Sequence, residues 1–441
     1  MEIVNEDALC SVKQNGLARK DFLSVVKAGV ASVDAYMLVR KKLSFDGEHL
    51  KVANNIFRKK GRVFVVGAGK VAHLMAAACA DEIEECAGCV LCPEEGEHEG
   101  VKFLKSDHPL ASEQNLRNTE KVLDVLREAK KEDFVVFLVS GGASAMLVKP
   151  IEGLALEEKN AVIKQLILSG ANIKELNTVR KHLSGVKGGR AALHTEAMVI
   201  GLVLSDVPEG CVGDVGSGPT VPDWSTKEDA LRILKKYKIL EMMSERAKKA
   251  LLDAEETPKS SHPKFRNVRN FVIGDMETAL AACVQRAEEL GYDVKVLTPA
   301  LDAEAREAGK LFAEILNYEA GKVKKRLYVA VGETYVRVSG KGKGGRNLEV
   351  VLGFLKKLNV KEGLMLSFAT DGKDGTTSWA GALGDVNTIE KARTQGLMID
   401  EFLSENNSMA FFEKTGDYVV AKNTRTNVGD IVLWGWREER K

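Results

Sequence analysis

The sequence predicts an α/β protein of two domains, each built on a sheet covered by helices. Three observations carry that reading. Short, unbroken apolar runs such as Phe134–Val139 and Met198–Leu204 alternate with stretches of helical periodicity. Strands of that kind belong to parallel sheets buried on both faces. The runs end in glycine-rich turns, where a strand passes into a helix. A polar, proline-bearing stretch, Glu255–Asn267, separates two periodic regions. Chain length alone, at 441 residues, would allow about three domains. The pattern fits two: a Rossmann-like domain at 1–260, with a parallel sheet and helices on both faces, and a smaller α/β domain with a mixed sheet at 266–441.

The elements follow in chain order. Phe22, Val25, Val26, Val30, Val33 and Met37 recur at helical spacing, which predicts one amphipathic helix from Asp21 to Val39. A buried strand at Val63–Val66 precedes a glycine turn and the alanine-rich helix Val71–Ala80. Phe134–Val139 runs into SGGASA (Ser140–Ala145), and Met198–Leu204 into SDVPEG (Ser205–Gly210). Past the polar stretch, strand Asn270–Ile273, helix Met276–Leu290 and strand Asp293–Leu297 read as a second βαβ unit. Leu327–Val331 and Met365–Ala369 each lead into a polar glycine loop, and Thr334–Ser339 alternates like one arm of a hairpin.

Charge and composition exclude several classes. Lysine plus arginine number 64 against 63 acids, a net charge of +1, so the basic excess of a nucleic-acid binder is missing. The apolar runs fall short of the roughly 20 residues that span a bilayer. The N-terminus, MEIVNEDALC, lacks the basic and apolar regions of a secretory signal. A cytoplasmic protein with small-molecule partners is expected, with homodimerisation left open. Seven cysteines, an odd number, argue against a disulfide framework.

In open α/β sheets the ligand lies beyond the carboxyl ends of the strands. Gly67-Ala68-Gly69-Lys70 places a lysine at a glycine turn beside a helix start, which suits a phosphate or carboxylate. Ser140, Gly141, Gly142 and Ser144 supply flexible backbone and hydroxyls where a nest of N–H groups can form. The segment Asn177–Arg190 concentrates Arg180, Lys181, His182, Lys187 and Arg190 around Gly188 and Gly189. Asp206, Glu333, Asp371 and Asp374 follow strands, where carboxylates serve as Mg²⁺ ligands or bases. Lys341–Asn347, KGKGGRN, is a second cationic glycine loop. Two such loops with acids between them imply a cleft closing over a phosphorylated cofactor. His108, in DHP, reads equally as a substrate contact or a turn residue. Cys86, Cys89 and Cys92 have CxxCxxC spacing, but strand alternation would turn Cys89 and Cys92 to opposite faces, which favours buried thiols over a metal site.

Taken in order, these motifs resemble the type II glycerate kinases, the family with a C-terminal MOFRL-type domain. The resemblance runs from about Asp21 to Trp434. It rests on GAGK, DHP, SGGASA, NTVRKHLSGVKGGR, SDVP and SGPTVPD (Ser217–Asp223) in the first half. GET (Gly332–Thr334), GKGGRNLE (Gly342–Glu349), TDGKDG (Thr370–Gly375), TGD (Thr415–Asp417) and TNV (Thr426–Val428) continue it. The resemblance implies ATP-dependent phosphorylation of D-glycerate, most often on the 2-hydroxyl, with the active site in the cleft between two α/β domains. It places the family's active-site lysine on Lys70 and its arginine on Arg346. Asp206 joins them as a catalytic candidate, and Asp206 and Asp371 as Mg²⁺ ligands. Gly67, Gly69, His108, Ser140, Gly141, Gly142, Ser144, Arg180, Lys187, Gly188, Gly189, Arg190, Glu333, Thr334, Gly345, Asn347 and Asp371 are expected to hold ATP and glycerate.

The chain departs from the family pattern at three places. Glu209-Gly210 stands where Gly-Asp is usual, Thr376-Thr377-Ser378 where Pro-Thr-Asp is usual, and Gly429 where Asn precedes Asp430. Losing the aspartate at Ser378 weakens a metal role there. Two rival readings attach to the same residues. GAGKVA also fits a dinucleotide fingerprint, which would make the chain an NAD(P)-dependent oxidoreductase acting on a small hydroxy acid. A non-catalytic metabolite-binding protein is the other.

Overall fold

The computed structural model describes residues 1–58, 61–207 and 211–438. By internal contacts the chain forms two compact units. One runs from Ala35 to Asp206 and resumes as far as Gly274; the other joins Met1–Asp34 to the chain from Asp275 onward.

The Ala35–Gly274 unit carries a seven-stranded sheet ordered Val268–Gly274, Met198–Leu204, Phe134–Val139, Val63–Ala68, Cys86–Cys92, Val101–Lys105 and Gly96–His98. All but the last run parallel. Taken in chain order from Val63–Ala68, the parallel strands follow the doubly wound order 3-2-1-4-5-6. Every residue of Val63–Ala68 and Phe134–Val139 is buried, because helices pack on both faces. The chain leaves Val63–Ala68 toward Cys86–Cys92 on one side and returns to Phe134–Val139 on the other. The carboxyl ends of those two central strands therefore form the switch point where such sheets bind ligands. A second core lies to the side, where Val162 and Leu166 of helix Leu156–Leu168 meet Val179 and Leu183 at helix Ile173–His182.

The other unit has a mixed six-stranded sheet: Asp293–Leu301, Lys325–Gly332, Asp430–Arg437, Gly363–Ala369, Gly381–Asp385 and Tyr418–Val419. Helices Ala305–Glu319 and Arg346–Lys357 cover one face, where Phe312 and Tyr328 stack on Trp434 at 4.3 and 5.2 Å. Helices Met276–Glu289 and Gly16–Ser32 pack together on this unit, with Gly29 close against Cys283 and Ile431.

The N-terminal segment belongs here because of a buried charge network. Arg19, fully buried, donates to Asp385 at 2.7 and 2.9 Å and to Asp417 at 2.8 Å. It also donates to Leu9 O at 2.8 Å and to Thr388 Oγ1 at 3.5 Å. A guanidinium so placed fixes the helix that carries it. The expected single helix over Asp21–Val39 is accordingly two, Gly16–Ser32 and Ala35–Lys42, interrupted at Val33–Asp34 where the chain passes from one unit to the other.

Three other expectations change for related reasons. Strand Val268–Gly274 pairs with Met198–Leu204, whereas Asp293–Leu301 pairs with Lys325–Gly332. The helix between them therefore links two sheets and closes no βαβ unit. The polar stretch expected to separate the domains instead packs within the first unit, with Thr257 buried and donating to Asp223 at 3.0 Å. Nor does Thr334–Ser339 form a hairpin. Tyr335 exchanges hydrogen bonds with Ala303 and Ala305, and the N–H groups of Ser339 and Gly340 go to Asn406. No single described helix is long and apolar enough to cross a membrane.

Candidate active site

At the switch point the central loops interlock. Gly67 and Gly69 are glycine because a Cβ at either position would stand 2.1 Å from Leu138 O or Ser140 Oγ. Lys70 donates its backbone N–H to Gly141 O at 2.8 Å, and Ser140 donates its own to Ala68 O at 3.2 Å. Ser140 is fully buried, its Oγ accepting from Val71 N at 3.4 Å. Gly142 adopts φ +84°, and a side chain there would also meet the His108 ring at 3.1 Å and Lys70 Cγ at 3.2 Å. GAGK, SGGASA and DHP thus converge on one glycine. Buried Asn115 holds the DHP loop in place, donating to Asp107 O at 2.8 Å and Ala145 O at 2.9 Å.

The basic segment joins the same loops. Ser144 Oγ lies 2.8 Å from Ser217 Oγ, which donates to Asn177 Oδ1 at 3.1 Å. Arg180 donates to that same Asn177 oxygen at 3.4 Å. Lys187 is fully buried and donates to Leu147 O at 3.0 Å. The Lys-Gly-Gly-Arg turn, however, is not a backbone cradle for anions. The N–H groups of Gly188 and Gly189 already donate to Ser217 O and Gly218 O, at 3.0 and 2.8 Å. Arg190 is engaged too, donating to Lys181 O, Ser184 O and Glu255 O, so it caps the preceding helix. Lys181 pairs with Asp223 at 3.2 Å in a buried bridge. Of this segment, Arg180 and Lys187 have no acidic partner among the described residues. Burial lowers the pKa of each, and at Lys187 the nearby Lys159 and Arg180 lower it further. Asp206, half-buried, follows strand Met198–Leu204, next to Ser205, whose N–H reaches Gly274 O. Glu209 and Gly210, one of the departures from the family pattern, lie outside the described residues.

In the other unit Arg346 opens helix Arg346–Lys357. It donates to both oxygens of Asp430, at 2.5 and 2.9 Å, and to Glu333 at 3.0 Å. Burial opposes its charge, but the Asp430 and Glu333 carboxylates outweigh burial and raise its pKa. Beneath it, Asp374 accepts from the N–H groups of Asn347 and Leu348 and from the Asn347 amide, at 2.9–3.2 Å. Burial pushes Asp374 up to about 6. Gly345 is glycine because a Cβ would stand 2.3 Å from the Asp374 carboxyl carbon. Asn347 is buried with both ends of its amide bound, to Asp374 and to Ser367 at 2.6 Å. It therefore positions the loop and is closed to a ligand. Thr334 is buried, and Asp371 accepts from Lys373 N at 3.0 Å in its own turn. Thr376, one of the substituted positions, and Trp379, just past them, tie this loop down. Thr376 Oγ1 donates to Gly344 O at 3.1 Å and Trp379 stacks on Tyr418 at 4.1 Å.

Asp430 and Lys159 were not picked out as site residues from the sequence. Asp430 had a signal, because it follows the TNV motif. Lys159 had none, being one charge among several in a polar helical turn. Cys86, Cys89 and Cys92 are all buried on one strand, and burial pushes Cys89 and Cys92 up to about 11. They are packed thiols. No three described His, Cys, Asp or Glu side chains stand close enough together to hold a metal by themselves. Magnesium typically takes one or two carboxylates and completes its shell with substrate phosphates. Asp206 or Asp371 fits that lesser demand.

The domain of unknown function DUF4147 matches residues 21–252, and the MOFRL family matches residues 326–430. Glycerate 2-kinase of Pyrococcus horikoshii is 35% identical over 93% of this chain and 96% of its own. A protein of Agrobacterium vitis named putative hydroxypyruvate reductase is 34% identical over 97% of this chain and 96% of its own. The solved structure of glycerate kinase from Thermotoga maritima is similar with a TM-score of 0.81 at 34% identity, covering 95% of this chain and 99% of that one.

Proposed function

The chain belongs to the glycerate kinase family, and on that premise we propose that it is an ATP-dependent D-glycerate 2-kinase. The observation that carries the proposal is the pair of cationic glycine loops, one with Lys70 at a doubly wound switch point and one presenting Arg346 from a helix start. Phosphoryl transfer asks little covalent chemistry of the protein; positioning and charge stabilisation do most of the work. The 2-hydroxyl oxygen bonds to the γ-phosphorus while the bond to the β-phosphate oxygen breaks, and ADP leaves. Lys70 stabilises charge on the moving phosphoryl group. Arg346, held in one orientation by Asp430 and Glu333, supplies a fixed cation to the nucleotide phosphates. Asp206 accepts the hydroxyl proton. Asp206 or Asp371 would hold a magnesium ion, which would supply charge neutralisation to the ATP phosphates.

The test is ADP release from ATP with D-glycerate and Mg²⁺, wild type against Lys70→Ala. Removing a transition-state cation costs about 10²–10³ in rate. Near-normal turnover in the variant overturns the role given to Lys70. The name of the Agrobacterium relative motivates a second assay, nicotinamide oxidation with hydroxypyruvate in the absence of ATP. A signal there supports the reductase reading instead.

A further inference from the structure

Three cations in the Ala35–Gly274 unit have no acidic partner among the described residues. Lys187 is fully buried and meets only a neutral carbonyl, Leu147 O. Arg180, in the last turn of helix Ile173–His182, donates to the neutral Asn177 amide. Lys159, on helix Leu156–Leu168, is 4% exposed, and no described residue pairs with its ammonium. Burial lowers the pKa of Lys159 and of Lys187; Arg180 adds to the shift at Lys159, and Lys159 and Arg180 add to it at Lys187. Other buried cations of the molecule are paired, Lys181 with Asp223 and Arg19 with Asp385. Burying unpaired like charges is costly unless an anion completes the site.

The cluster adjoins the loops already described. Asn160, the neighbour of Lys159, donates to Ala111 O at 2.9 Å, just beyond the DHP turn. Lys187 ends at Leu147, two residues past SGGASA, and Arg180 shares Asn177 with the Ser217–Ser144 pair.

We propose that Lys159, Arg180 and Lys187 form the receptor for the carboxylate of the acceptor substrate, with Lys159 a binding residue outside every motif. The identity of that carboxylic acid, glycerate, rests on the kinase reading above; the receptor itself does not. A guanidinium and two ammonium groups offer a carboxylate charged donors in a desolvated setting. Burial pushes Lys159 down to about 8 and Lys187 well below its ordinary value.

Lys159→Met is the direct test, with Lys159→Gln as a second variant and Lys159→Arg as rescue. The KM for D-glycerate rises about 10- to 100-fold in the Met and Gln variants, as expected for a lost charged hydrogen bond. The KM for ATP moves far less, and the Arg variant recovers part of the loss. Without ligand the Met variant melts higher than wild type, because repulsion and burial of a charge are relieved, whereas a merely structural lysine would melt lower on removal. Thermal stabilisation by D-glycerate shrinks in the variants while that by inorganic phosphate does not. Unchanged glycerate KM and unchanged stabilisation in an active enzyme overturn the receptor and leave the kinase reading intact. A wild type that turns over no glycerate, yet is stabilised by it through Lys159, upholds the receptor and overturns the kinase reading. Loss of the phosphate response instead of the glycerate response overturns the carboxylate assignment.

Discussion

Two groups of cations, one in each unit, are held in opposite ways. In the C-terminal unit Arg346 is paired with Asp430 and Glu333, and Arg19 with Asp385 and Asp417. In the Ala35–Gly274 unit Lys159, Arg180 and Lys187 sit together with neutral acceptors or none. A paired buried cation is held in one geometry, and removing it strands its carboxylates. An unpaired buried cluster is held less favourably and gains most when an anion arrives. The first arrangement gives a fixed donor or a structural bolt; the second gives a receptor.

The strongest way to break this contrast is at Arg19. Arg19→Met leaves Asp385 and Asp417 buried without their counter-charge and lowers stability by about 3–5 kcal/mol in chemical denaturation. A loss under about 1 kcal/mol would mean that the N-terminal helix is held by its apolar packing alone. Next is Arg346→Ala, for which ADP release falls about 10²–10³-fold. Arg346→Lys recovers little of that, since an ammonium cannot span both Asp430 oxygens.

Asp374 sharpens the contrast through pH. Its folded pKa, about 6 against an ordinary 3.8, is raised, so the folded state holds the proton more tightly than the unfolded chain. The stability this contributes is complete below about pH 4 and is lost as pH rises through 6. That amounts to about 3 kcal/mol across the window. Asp374→Asn removes the slope, and denaturation curves of the two proteins at several pH values measure the difference. The smallest effect is expected at Ser217→Ala, which cuts the link from Ser144 to Asn177 and costs about 1 kcal/mol in glycerate binding. An unchanged glycerate KM there would detach the SGGASA loop from Arg180.

Much of this was readable from the sequence, for local reasons. Val63–Val66, Phe134–Val139 and Met198–Leu204 announce themselves as strands because both their faces are buried. Lys70 and Arg346 stand out because a cation in a glycine turn has few structural uses. What the sequence hides is long-range partnership. Arg19 meets Asp385 across 366 residues and Asp417 across 398, and nothing local to Arg19 says so. Val268–Gly274 reads as a strand, yet its choice of Met198–Leu204 as partner depends on the sheet already present. Backbone engagement is equally invisible: Gly188, Gly189 and Arg190 look like an anion loop until their donors are found bound to carbonyls. Lys159 shows the converse, a charge in a polar helical turn that only tertiary packing turns inward.

The most direct measurement is phosphorus NMR of the product formed from D-glycerate, Mg²⁺ and ATP. The account predicts a single new phosphomonoester resonance that co-adds with authentic 2-phosphoglycerate. A resonance matching 3-phosphoglycerate would contradict the assigned hydroxyl, and no phosphoglycerate at all would contradict the kinase.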